Sequence, residues 1–199
     1  MSAFFEAPPP QPKTEPAEPR MPVWFQAPRG QLPCAIPLGR IIARNDKAVV
    51  GVAGGFAYTT GFELSFHVFT PEATFPEGGF ERGPFDRMGL DSGELSPEFL
   101  RLGLEYADGS KLMNTNPRPL PDGDGDDEEQ AKPTMRPQRG RGWYREYQQD
   151  FWCWPLPPVG PLQLICEWPG MEIDLTRVEV DAQSILDASA QTQIIIPSE

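Results

Sequence analysis

Hydrophobic and polar residues alternate in several short runs along the chain. Phe62, Leu64, Phe66 and Val68 are separated by Glu63, Ser65 and His67, which predicts a strand with the first set facing inward. Glu63, Ser65 and His67 then share the outer face. Leu100, Leu102, Leu104 and Tyr106 alternate in the same way and run into the turn Ala107, Asp108, Gly109, with Lys111 to Met113 as the return strand. Ile41 and Ile42 open a hairpin that turns at Asn45 and Asp46 and comes back through Ala48, Val50 and Val52.

The last third is dense in apolar residues. Residues 143–154 read as one strand, and 155–161, with four prolines, as a rigid connection. Residues 162–168 form a strand apolar enough for both faces to be covered, so the two strands make a wide hairpin. A further strand covers 176–180. Asp181 then caps a helix whose inner face is Ile185, Leu186 and Ala190. The elements sum to an all-β fold, an antiparallel sandwich of about seven strands with one short C-terminal helix.

Between these runs lie segments that bury little. The first 33 residues hold nine prolines with three P-x-x-P spacings, a Pro-rich N-terminal extension that excludes helix and inner strand. Residues 1–20 are expected to lack fixed structure, whereas Trp24 and Phe25 dock an ordered strap on the domain. The domain is placed at 34–196, with a polar insert without fixed structure at about 114–142. Residues 70–97 are an irregular loop in which Phe75, Phe80 and Phe85 cap the core.

Composition narrows the function classes. In 199 residues, 29 acidic side chains face 17 basic ones, a net charge of −12 that disfavours nucleic acid as the main partner. No run approaches a membrane span and no leader pattern is present, so the expected location is cytoplasmic and no membrane partner is expected. Three cysteines do not make a disulfide framework. Cys153 and Cys166 flank the wide hairpin, where a bridge is geometrically open to them, but buried thiols are the expectation.

No arrangement of residues has the spacing of a catalytic, metal or cofactor site. His67 is the single histidine, with Glu63 ~13 Å and Ser65 ~6.5 Å away along the strand. The acidic run from Asp122 begins like a calcium loop but has Asp127 where the turn glycine belongs and Pro133 where the bidentate glutamate belongs. Arg139, Arg141 and Trp143 have a single-strand-binding flavour that the upstream acids cancel. Paired carboxylates can be drawn across the hairpin, Glu167 with Asp150 for example, but the sequence gives no separation between them. The most unusual feature is aromatic: Trp143, Tyr147, Trp152, Trp154 and Trp168 are candidate contacts to a ligand or partner.

Trp24 with Phe25 and Pro28, the run Ile36, Pro37, Leu38, the pairs Ala57, Tyr58 and Gly61, Phe62, the Asp-Gly turn at 108–109, and residues 152–158, 160–162 and 167–169 together resemble an uncharacterised bacterial β-sandwich family. Its genomes are of the high-GC type, to which the excess of Arg over Lys is similar. The resemblance spans about residues 22–187, and it implies no activity, cofactor or catalytic residue. The expected function is a non-catalytic module binding another macromolecule, with a protein partner suspected. The alternative is a sandwich that binds a small ligand or carbohydrate on an aromatic platform.

Overall fold

The computed structural model describes residues 21–75, 83–85, 95–116 and 132–197. The Pro-rich residues 1–20, Phe80 and the acidic run at 122–129 lie outside the described residues. Twelve strands and one helix follow in order: β1 (Gln31–Leu32), β2 (Cys34–Ile36), β3 (Arg40–Arg44), β4 (Val49–Ala57), β5 (Phe62–Phe69), β6 (Arg101–Glu105), β7 (Lys111–Met113), β8 (Thr134–Trp143), β9 (Glu146–Trp154), β10 (Pro161–Trp168), β11 (Ile173–Asp181), α1 (Gln183–Ala190) and β12 (Gln193–Ile194). Among the described residues every pairing is antiparallel. One sheet runs β2-β4-β5-β9-β8, with β3 also on β4, and a second runs β11-β10-β6-β7. The fold is an all-β sandwich.

The alternation in β5 does what it predicts. Phe62, Leu64, Phe66 and Val68 are fully buried, and they meet Leu104, Leu112, Leu162 and Leu164 of the other sheet in one core. Each such side chain contributes roughly 1.5–3 kcal/mol on burial, against the entropy of ordering the strands. At the first hairpin the Asn45 carboxamide oxygen accepts from Lys47 N and Ala48 N, both at 2.9 Å, which fixes the turn. Phe75 and Phe85 do close over the core, against Tyr147.

Four sequence expectations about the strands are corrected. Residues 143–154 are not one strand: β8 ends at Trp143, Tyr144 takes φ 47° and β9 restarts at Glu146. Tyr144 O accepts from Thr74 N and Phe75 N, so a tyrosine holds a turn that sequence assigns to Gly or Asn. Much of the insert at 114–142 is ordered, since Thr134–Trp143 pairs along β9. Its pattern is hidden because its inward positions include Gly140 and Gly142. A Cβ on Gly140 would lie 2.6 Å from Gln149 Oε1, so the large residues of β9 fill the space that β8 leaves.

The wide hairpin does not form, because β9 and β10 belong to different sheets. The prolines of 155–161 lack the N–H groups for pairing and carry the chain across instead. Cys153 and Cys166 therefore sit in separate sheets as free buried thiols, and burial pushes Cys166 up to about 12. Finally, β10 buries one face only. Its other face is half-buried and carries Gln163 bonded to Glu179, an exposed bond, and Glu167 paired with Arg101, a partly buried one.

At the C-terminal end, Asp181 Oδ1 accepts from Gln183 N at 2.9 Å, and Ile185 with Ala188 forms the buried face of α1, Ala190 being exposed. The described ends of the chain zip together. Gln31 pairs with Ile194 and Leu32 with Gln193, and Gly30 O accepts from Ile195 N and Ile196 N at 2.8 and 2.9 Å. Gly30 has φ 71°, and a Cβ there would lie 2.5 Å from Ile196 O. Among the described residues no helix is long and apolar enough to cross a membrane.

Candidate functional site

The five nominated aromatics do not form one platform. Trp168 is 2% exposed on the inner face of the other sheet, and its indole N–H donates to Glu98 O at 3.0 Å. Tyr147 points into the core from β9, against Phe75 and Phe85. The pleat of β9 sends Trp152 the opposite way, onto the outer face, with Trp154 half-buried farther along. Trp143, at the β8 end of the hairpin, is 62% exposed. Sequence proximity is thus divided by the pleat and by the sandwich.

Trp152 lies on an outer face yet has no exposed surface. The strap at 21–28 accounts for this. Phe25 N donates to Pro22 O in a tight turn, Val23 O accepts the Trp152 indole N–H at 3.0 Å, and Tyr58 packs edge-on at 5.6 Å. The Arg136 guanidinium sits 4.0 Å above the Phe25 ring and holds the strap from the β8 side.

Beyond the strap the same face is open. Register places Ser65 opposite Asp150, His67 between Gly51 and Gln148, and Phe69 opposite Glu146, while β8 adds Arg141 beside Gln148 and Trp143 beside Glu146. The polar side chains bond to one another. Ser65 Oγ donates to Asp150 Oδ1 at 2.7 Å, Gln148 Nε2 donates to Ser65 Oγ at 2.8 Å and to Asp150 Oδ1 at 3.0 Å, and Arg141 Nε donates to Gln148 Oε1 at 2.9 Å. His67 Nδ1 lies 3.3 Å from Glu146 Oε1, and its ring stacks on Phe69. Gly51 and Gly54, opposite His67 and Ser65, put no side chain over the row.

The row ends in a shallow groove of about 580 Å³ lined by Phe69, Thr70, Ala73, Trp143, Tyr144, Arg145 and Glu146. Phe69 and Tyr144 are 43% and 45% exposed, so the groove is bordered by three accessible rings. At the other end, Glu63 is held above the usual carboxylate range, first by burial and then by Asp150, with Arg139 opposing. Three acids, Glu63, Glu146 and Asp150, thus share this half with four arginines, Arg44, Arg139, Arg141 and Arg145.

Ser65 and His67 are closer than strand spacing implies. Ser65 Oγ is 3.5 Å from His67 Nε2, because the imidazole reaches back along the strand, and Glu146 completes a Ser-His-Glu line. The line lacks a nucleophile's hydrogen bond. Ser65 directs its proton to Asp150, whereas activation requires the base to accept it. Asp150 and Glu167 are in different sheets and do not form a carboxylate pair. Among the described residues no group of three His, Cys, Asp or Glu side chains is arranged to hold a metal. Sequence offers Glu146 and Arg141 as polar candidates beside the aromatics, but cross-strand register, invisible in one sequence, is what brings them to His67 and Gln148. Comparison of the chain with protein-family models, curated proteins and solved structures finds no match.

Proposed function

We propose that the chain is a non-catalytic β-sandwich module that holds a macromolecular ligand on the open half of the β5-β9-β8 face. The observation that carries this reading is Trp143, 62% exposed at a groove that continues into a row of mutually bonded polar side chains. A large exposed ring beside oriented donors and acceptors is the composition of a binding surface. The Ser65 proton committed to Asp150 favours holding over reacting.

The test is affinity capture from native extract with the full chain, analysing both bound proteins and bound glycans. Trp143→Ala is expected to lose what the parent retains. Leu175→Ala, on an exposed position of β11, is the control and should retain it. Equal capture by parent and Trp143→Ala overturns the reading, as does equal loss with both variants.

A further inference from the structure

The open half of the face also restricts what can bind there. Its four arginines and three acids give a nearly balanced field, which offers a polyanion or a polycation no strong net attraction. A neutral ligand fits that balance. The row presents planar hydrogen-bonding groups with capacity to spare, the Arg141 guanidinium and the Asp150 and Glu146 carboxylates, while the Gln148 carboxamide is spent on Arg141, Ser65 and Asp150. Both described bonds to Asp150 fall on Oδ1, and the Glu146 contact to His67 uses Oε1. Asp150 Oδ2 and Glu146 Oε2 are left as acceptors. These are the groups that meet the paired hydroxyls of a sugar ring, while an exposed indole covers its C–H face.

Spacing gives the size of the ligand. Asp150 and Glu146 are four residues apart on β9, ~13 Å at ~3.3 Å per residue, which is longer than one pyranose ring. The acceptors are already held by Ser65, Gln148 and His67, so little side-chain freedom is lost when a ligand docks. Resting on the binding-module reading above, we infer that this site takes a neutral oligosaccharide, with one ring stacked on Trp143 and neighbouring hydroxyls bonded to Glu146 and Asp150.

The experiment applies the full chain to an array carrying neutral hexose, N-acetylhexosamine and pentose oligomers together with acidic glycans, followed by calorimetric titration of the best-bound oligomer. Neutral oligomers are expected to bind and acidic ones to bind no better. Trp143→Ala should weaken the titrated oligomer by about tenfold or more, as loss of a central tryptophan contact does. Asp150→Asn should weaken it by a smaller factor, and Leu175→Ala should leave it unchanged. An array on which no neutral oligomer binds, a preference for acidic glycans, or undiminished binding to Trp143→Ala each overturns the proposal. If the array is blank while Trp143→Ala still loses a captured protein, the contact face stands and the carbohydrate falls. If Trp143→Ala changes neither capture nor array, both fall.

Discussion

Trp152 and Trp143 stand on the same face of the same sheet, on paired strands, and differ completely in exposure: 0% against 62%. Neither strand nor face decides the difference. The strap, with Tyr58 from beyond the end of β4, does: Val23 O accepts the Trp152 indole N–H and Tyr58 packs edge-on against the ring. One half of the face has been converted to core by a segment that belongs to neither sheet. The other half keeps its polar row partly exposed.

The contrast predicts unequal costs for the same substitution. Trp152→Ala should destabilise the fold by about 3–5 kcal/mol, as expected for truncating a buried tryptophan, and should speed tryptic cleavage after Arg29 as the strap loosens. Trp143→Ala should change stability by no more than about 0.5 kcal/mol. Denaturant titration of the two variants measures both, and similar losses would erase the distinction between the halves.

A second variant tests the covered half from below. A Cβ on Gly61 would lie 2.7 Å from the Trp152 ring and 2.6 Å from Cys153 O. Gly61→Ala should therefore cost about 1–3 kcal/mol, the usual range for overpacking, read as a shift in the denaturation midpoint.

The smallest effect lies at the border between the halves. Burial raises the Glu63 carboxyl above its usual range, so the folded chain binds that proton more tightly than the unfolded chain does. Stability is therefore lost as pH rises from the ordinary glutamate range through the raised folded value, and the loss is constant above it. Glu63→Gln should melt slightly above the parent at neutral pH, with the gap closing below the ordinary glutamate range. A gap that widened on acidification would contradict this sign.

How much of this was legible in the sequence depended on whether one strand carried its own signal. β5 did, because its buried and exposed residues alternate without interruption, and Asn45 announced its turn. β8 did not, because its inward glycines fit only under Tyr147 and Gln149, which lie on another strand. The site shared that difficulty. His67 and Ser65 were visible as neighbours on one face, but Glu146, Gln148 and Asp150 joined them through pairing between segments about eighty positions apart. The tryptophans were visible as a group, and their separation required knowing which sheet each strand enters and where the strap lies.

The small ribbon of β1 and β12 bears on how the domain responds to force. Because Gln31 lies opposite Ile194, the entering and leaving strands separate from their outer ends inward when those ends are pulled apart. Once the strap at 21–28 is drawn off, tension loads the bonds at Gly30 and then the Leu32–Gln193 pair, one rung at a time rather than all together. Peeling of this kind yields at low load. The ribbon acts as a mechanical fuse that opens under modest pull while the ten longer-paired strands of the sandwich remain closed.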